Sequence, residues 1–210
     1  MTDPAEAAPP RRRTQRERRE ATVGKLVDAT IAAISEVGYA RTSVQEICRR
    51  AGVSHGGLFR HFETRLDLVV TAAEEVGRRL LAHFWDRVGP VAEQTAAQPS
   101  ALPEVLRAIR AACRSPLNLV WFEILVAART DATLRDRLIP TIDSFWQDIY
   151  LTAQRIPVIA AQPVETRQAA VAAALHMFEG ETFINSITPR PEIEDKMLAI
   201  VSGLYAPPGV

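Results

Sequence analysis

Apolar residues recur every three or four positions along nearly the whole chain, and no run alternates with the period of a strand, so the pattern predicts an all-α protein. Val23, Leu26, Val27, Ile31, Ile34 and Val37 form the inward stripe of a first helix over about 15–37, which Gly38 ends. Val44, Ile47, Cys48 and Ala51 then fall at i, i+3, i+4 and i+7 and predict a short second helix. Thr42 or Ser43 supplies its N-cap, and Gly52 stands where a left-handed C-cap costs least. Ser54 offers the next N-cap at once, and Leu58 and Phe62 share one face of a third helix. Thr64 caps a long helix over 65–88, interrupted by Gly89 and Pro90 and followed by a loop through Ser100. Five further helices are predicted at about 102–113, 116–129, 132–155, 164–187 and 191–204, with Pro140 kinking or dividing the third of them. The expectation is about nine helices in all.

The turn between the second and third helices makes the stretch TSVQEICRRAGVSHGGLFRHFETR a helix-turn-helix. With Leu58 and Phe62 facing inward, His55, Gly57, Arg60 and His61 point elsewhere, and these are mostly hydrogen-bond donors or lack bulk. A helix, glycine turn and helix also occur in any all-α core, so this pattern alone leaves DNA binding and plain packing both open. Charge shifts the balance. The formal net charge is zero, yet residues 1–65 hold 12 Lys/Arg against 8 Asp/Glu and residues 66–210 hold 13 against 17, a split of +4 and −4. The basic excess sits with the helix-turn-helix. Arg11, Arg12, Arg13, Arg16, Arg18 and Arg19 follow an unpatterned Pro/Ala-rich start, and predict an arm over 1–19 that neutralises phosphates or enters a minor groove.

The run from about 20 to 70 closely resembles the N-terminal domain of TetR-family transcriptional repressors. The resemblance rests on a helix, the link Gly38-Tyr39-Ala40-Arg41-Thr42-Ser43, the turn Ala51-Gly52-Val53-Ser54, the run Leu58-Phe59-Arg60-His61-Phe62 and a basic residue, Arg65, opening the next helix. It implies a three-helix DNA-binding domain over 20–64 and a ligand-sensing, dimerising helical bundle over 65–210. It places His55, Gly56, Gly57, Arg60 and His61 toward the major groove, with Arg60 the candidate for a guanine contact. Thr42, Ser43 and Ser54 aim donors at phosphates, Arg41 and Arg65 add charge there, and Gln45 is a candidate for a base edge. Two positions depart from the family pattern. Phe59 replaces a phosphate-binding Tyr, and Gly57 replaces a small side chain that touches a base. Two adjacent glycines cost the free recognition helix roughly 1 kcal/mol each relative to Ala.

No catalytic constellation stands out. His55, His61, His83 and His176 make no metal-ligand spacing, Cys48 and Cys113 make no disulfide framework, and Gly56-Gly57 lacks the Lys-Ser/Thr of a phosphate loop. No cofactor, metal or enzymatic activity is expected. No run approaches eighteen apolar residues, which predicts a cytoplasmic protein without membrane association. All three tryptophans lie beyond the helix-turn-helix. Phe84, Trp85, Trp121, Phe122, Phe145, Trp146, His176, Phe178 and Glu179 are accordingly candidates for lining a pocket for a small-molecule effector, with core packing as the alternative for each. The helix over 164–187 is apolar on one face, through Val171, Leu175 and Phe178, and small on another, through Ala169, Ala172, Ala173 and Gly180. The family resemblance assigns dimerisation to it and to 191–204. The resulting expectation is a ligand-relieved repressor that binds a palindromic operator in double-stranded DNA as a homodimer. Its alternatives are a ligand-independent regulator or activator, a nonspecific nucleoid-type binder and an enzyme with an unrecognised site.

Overall fold

The computed structural model of the chain describes residues 14–95 and 102–204. Residues 1–13 of the expected arm, and residues 96–100 of the expected loop, lie outside these residues. Ten α-helices follow in order: α1 (Gln15–Val37), α2 (Val44–Ala51), α3 (His55–Phe59), α4 (Arg65–Thr95), α5 (Leu102–Cys113), α6 (Pro116–Thr130), α7 (Ala132–Ala153), α8 (Pro157–Ala160), α9 (Val164–Asn185) and α10 (Pro191–Leu204). A 3₁₀ turn at Tyr39–Arg41 links α1 to α2. Among the described residues there is no strand.

Most boundaries follow local chemistry. Thr14 and Glu17 form a reciprocal capping box at the start of α1, with bonds of 3.2 and 2.7 Å. Helix α1 therefore takes up the last five residues of the segment expected as an arm, including Arg16, Arg18 and Arg19. Gly38 and Gly52 carry positive φ of 78° and 65° and end α1 and α2. Ser43 rather than Thr42 caps α2, accepting from Glu46 N at 3.2 Å. Thr64 and Asp67 cap α4 reciprocally, at 2.8 and 3.1 Å.

Two boundaries read from proline and glycine differ in the structure, and of the kink or division expected at Pro140 the division does not occur. Helix α4 does not stop before Gly89-Pro90 but runs on to Thr95, and α7 passes through Pro140 undivided. A proline removes one backbone bond, and here both prolines are exposed while the turns around them bury Val88, Ala92, Leu138 and Phe145. Side-chain burial outweighs the single lost bond. The proline-bounded loop after α7 contains one turn of helix, α8, which raises the count from nine to ten.

Two apolar cores result. The first joins α1, α2 and α3 to the N-terminal half of α4 and continues without a break into Trp121, Ile124, Leu134, Leu138 and Phe145 of α6 and α7. The second gathers Val88 and Ala92 of α4 with α5, α8, α9 and α10. Helix α4 enters both.

Candidate functional site

Helix α3 is only five residues long, too short to persist on its own propensity, so its placement comes from packing. Leu58 is fully buried and Phe62 nearly so, as the spacing predicts. Ser54 Oγ accepts from Gly57 N at 3.1 Å and closes the first turn. His55, Gly56, Phe59 and Arg60 are exposed on the far side, Phe59 to 44 %. Phe59 is covered only in part, by the His55 ring 5.1 Å away. Arg60 follows the last helical residue, and its side chain has no hydrogen bond or ion pair among the described residues. His61 is half-buried, with Nδ1 enclosed and unpartnered. The two glycines differ. A Cβ at Gly57 would sit 2.9 Å from Val53 Cγ1, whereas one at Gly56 would meet nothing within 4 Å.

The other arginines of the helix-turn-helix and its linker, Arg41, Arg49 and Arg50, are occupied. Arg49 and Arg50 pair with Glu46 at 2.7 and 2.6 Å, and Arg50 also reaches Glu36 at 2.8 Å. Those two guanidinium groups hold the Glu46 carboxyl down at about 2. Arg41 is exposed and donates to Val37 O at 2.8 Å, and Gln45 and Ser43 are exposed beside it. Two expected DNA-facing residues are placed inward. Thr42 is 0 % exposed and its hydroxyl donates to Gly38 O at 2.9 Å, so it folds the linker instead of presenting a donor. Arg65 donates to Thr42 O at 2.6 Å and to Tyr39 O at 2.8 Å, with its guanidinium 4.5 Å from the Tyr39 ring. A cation held by two carbonyls and an aromatic face is a structural rivet between α4 and the α1–α2 linker. Glu123 of α6 accepts from Tyr39 N at 3.2 Å, and Arg137 of α7 reaches Asp67 at 2.6 Å, so the body grips the same linker and the same helix start.

The nine candidate effector residues do not meet in one cavity. Trp121 and Phe145 meet at 4.8 Å with their rings tilted by 58° inside the first core, and Phe122 lies edge-on to Phe183 at 5.8 Å. Trp146 meets the exposed His176 edge-on at 5.1 Å, while the Arg155 guanidinium lies 3.6 Å over the Trp85 ring. Phe178 is fully packed in the second core. Of the nine, Phe84 lines an apolar cavity of about 40 Å³ among α4, α5, α7, α8 and α9. Glu179 is half-buried, and desolvation pushes its carboxyl up to about 7.

A buried charge cluster beside it was not anticipated. Arg110 Nε donates to Glu181 Oε1 at 2.7 Å, Arg110 Nη2 lies 2.8 Å from Glu194 Oε2, and Arg114 reaches Glu181 at 2.7 Å. The cluster ties α5 to α9 and α10. Its signal was Arg110 standing four residues after Leu106 and three before Cys113, in the register of the buried stripe. Burial, then the negative charges of Glu179 and Glu181, push the Cys113 thiol up to about 12, which makes it inert. Among the described residues, no group of three or more His, Cys, Asp or Glu is placed to hold a metal ion. No single described helix is long and apolar enough to cross a membrane.

The helix-turn-helix region and the chain as a whole both match known proteins. Residues 26–72 match the profile of bacterial regulatory proteins, tetR family. An HTH-type transcriptional regulator of Mycobacterium tuberculosis is 40% identical over 192 residues, covering 91% of this chain and 96% of that protein. The HTH-type transcriptional regulator CymR of Pseudomonas putida is 42% identical over 65 residues, 31% of this chain and 32% of that one. Among solved structures, a transcriptional regulator of Streptomyces coelicolor superposes with a TM-score of 0.67 at 18% identity, over 89% of this chain and 99% of that chain. The multidrug binding protein EbrR, complexed with imidazole, superposes at 0.64 and 21% identity, over 90% and 96%.

Proposed function

The chain belongs to the TetR family of HTH-type transcriptional regulators, and from that premise we propose that it is a ligand-relieved repressor that binds a palindromic operator as a homodimer. The observation that carries the reading is Arg60: an exposed guanidinium without a protein partner, next to a helix whose inward residues are fully packed. In a major groove it would donate both arms to guanine O6 and N7. His55, Phe59, Gln45 and Arg41 flank it on the same exposed side, and Ser43 and Ser54 mark helix N-termini suited to phosphates.

Dimerisation is supported by α9. Ala169, Ala173, His176, Gly180 and Phe183 alternate at spacings of four and three and are all exposed, which is the register of a helix–helix seam, and Ile187 is exposed just past the helix end. Ile193 and Ile200 extend the apolar surface on α10, and Ile187 and Ile200 stand 74 % and 66 % exposed. An effector that shifts α4 would carry the head with it, because Arg65 pins the start of α4 to the linker beside α2. EbrR, which shares the fold, is described as a multidrug binding protein.

The test is a selection of random duplexes by the purified protein, followed by binding of the enriched sequence to Arg60→Ala. The variant is expected to lose ~1–3 kcal/mol and to relax its preference at one base pair per half-site. An unchanged affinity and preference would remove Arg60 from the interface.

A further inference from the structure

We propose that the effector is a neutral, elongated apolar molecule, such as a medium-chain alcohol or ester, lodged between α5 and α9 beneath α8. This deepens the reading of a ligand-relieved regulator and rests on it. Two voids lie side by side in the second core, of about 40 and about 20 Å³. They share Ile109, Ile159, Val171 and Ala174 as walls, so they form one channel divided by a few side chains. No charged side chain lines either void, and the polar residues among the walls are Thr152 of the larger and Gln162 of the smaller. Protein cores leave few gaps, and an apolar gap stays dry and receptive to apolar guests. A charged guest would lose its hydration and find no counter-charge, at a cost no local contact offsets.

The voids as they stand are too small for an organic ligand, so something must yield. The wall best suited to yield is α8, a single turn of four residues without a side-chain N-cap. Ile156 is fully buried ahead of it, and Arg167 of α9 holds Gln162 O at 2.8 Å behind it. Between those two anchors Ile159 borders both voids, and swinging it outward merges them without unseating the ends of the segment. Leu81 and Phe84 of α4 also line the larger void. A chain that fills the channel presses on the helix that carries the DNA-reading head.

The experiment uses the full-length protein with three probes of equal chain length: 1-decanol, decanoate and decylammonium. Binding is followed by calorimetry, and release from the selected operator is followed separately by fluorescence anisotropy. Decanol is expected to bind at least tenfold more tightly than either charged probe. Val171→Trp, which fills the channel, should weaken it at least tenfold, and Ile159→Ala, which joins the voids, should tighten it several-fold. The second variant decides the matter if the first does not fold. Failure of decanol to bind both wild type and Ile159→Ala, or equal binding of a charged probe, overturns the proposal. Decanol binding without operator release leaves the site standing and instead refutes ligand relief. Operator release by a charged effector, with decanol inert, does the reverse.

Discussion

Arg65 and Arg60 lie five residues apart in one basic stretch, and their surroundings give them different work. Arg65 is spent on the carbonyls of Thr42 and Tyr39, while Arg60 has no protein partner among the described residues. Sequence spacing could place both at the DNA-facing end but could not show that two backbone carbonyls converge on one of them. The same limit applies to the paired glycines. Propensity charges Gly56 and Gly57 alike, but only at Gly57 would a methyl collide with Val53, so only there is glycine required by packing. Leu58 and Phe62, by contrast, were readable as inward residues because a four-residue period fixes the face whatever lies beyond it. At this scale Glu179 supplies a pH prediction. Its carboxyl titrates at about 7 in the folded chain because burial disfavours the charge, against an ordinary value of 4.5. The folded state therefore holds a proton that the unfolded state has lost between those values, and stability falls as pH rises from 4.5 to about 7. Glu179→Gln is expected to unfold at higher urea than wild type at pH 8, by on the order of 1–2 kcal/mol, with the difference shrinking toward pH 4.5. Equal urea midpoints at pH 8 would show that the carboxylate bears no burial penalty.

Helix boundaries were legible wherever a cap or a positive-φ glycine decided them, as at Ser43, Gly52 and Ser54. They were misread at Pro90, where tertiary burial overrode a local breaker, and at Pro140 the sequence left open a division that does not occur. Helix α8 escaped notice because one turn cannot establish a period. The attachment of α10 was hidden for another reason: it depends on charges that meet from three helices. Glu194 lies against Arg110 and Arg114 and accepts from Asn185 at 2.9 Å, while Leu198 and Val201 pack into the second core. Removing Arg110 leaves the buried Glu181 and the adjacent Glu194 to share the one half-exposed guanidinium of Arg114. Arg110→Ala is expected to cost ~3–5 kcal/mol by urea denaturation, whereas Arg110→Met with Glu181→Leu, which removes the central pair, should recover much of that loss. If the single variant matched wild type, the cluster would be solvated and α10 would be held by its apolar residues alone.

Across the molecule, the first core crosses the boundary drawn at residue 64 and joins the head to α6 and α7. That continuity was not visible in the sequence, because nothing in the period of α6 announces that Trp121 and Ile124 pack with residues of α1 to α4. It means that the head is tied to the helices around it, through Arg65, Asp67–Arg137 and Glu123, and is not joined by a bare linker alone. Two heads joined through the α9–α10 surface would then sit at a fixed separation and demand an inverted repeat with half-sites about one turn, roughly 34 Å, or a multiple apart. The most direct test is a footprint of the purified protein on its selected duplexes, run with wild type and with Ile187→Glu, which places a charge on the exposed apolar surface between α9 and α10. The expected result is a protected inverted repeat for wild type and loss of paired half-site protection for the variant. Protection without sequence preference, or paired protection unchanged in an Ile187→Glu protein that sediments as a monomer, would contradict the account.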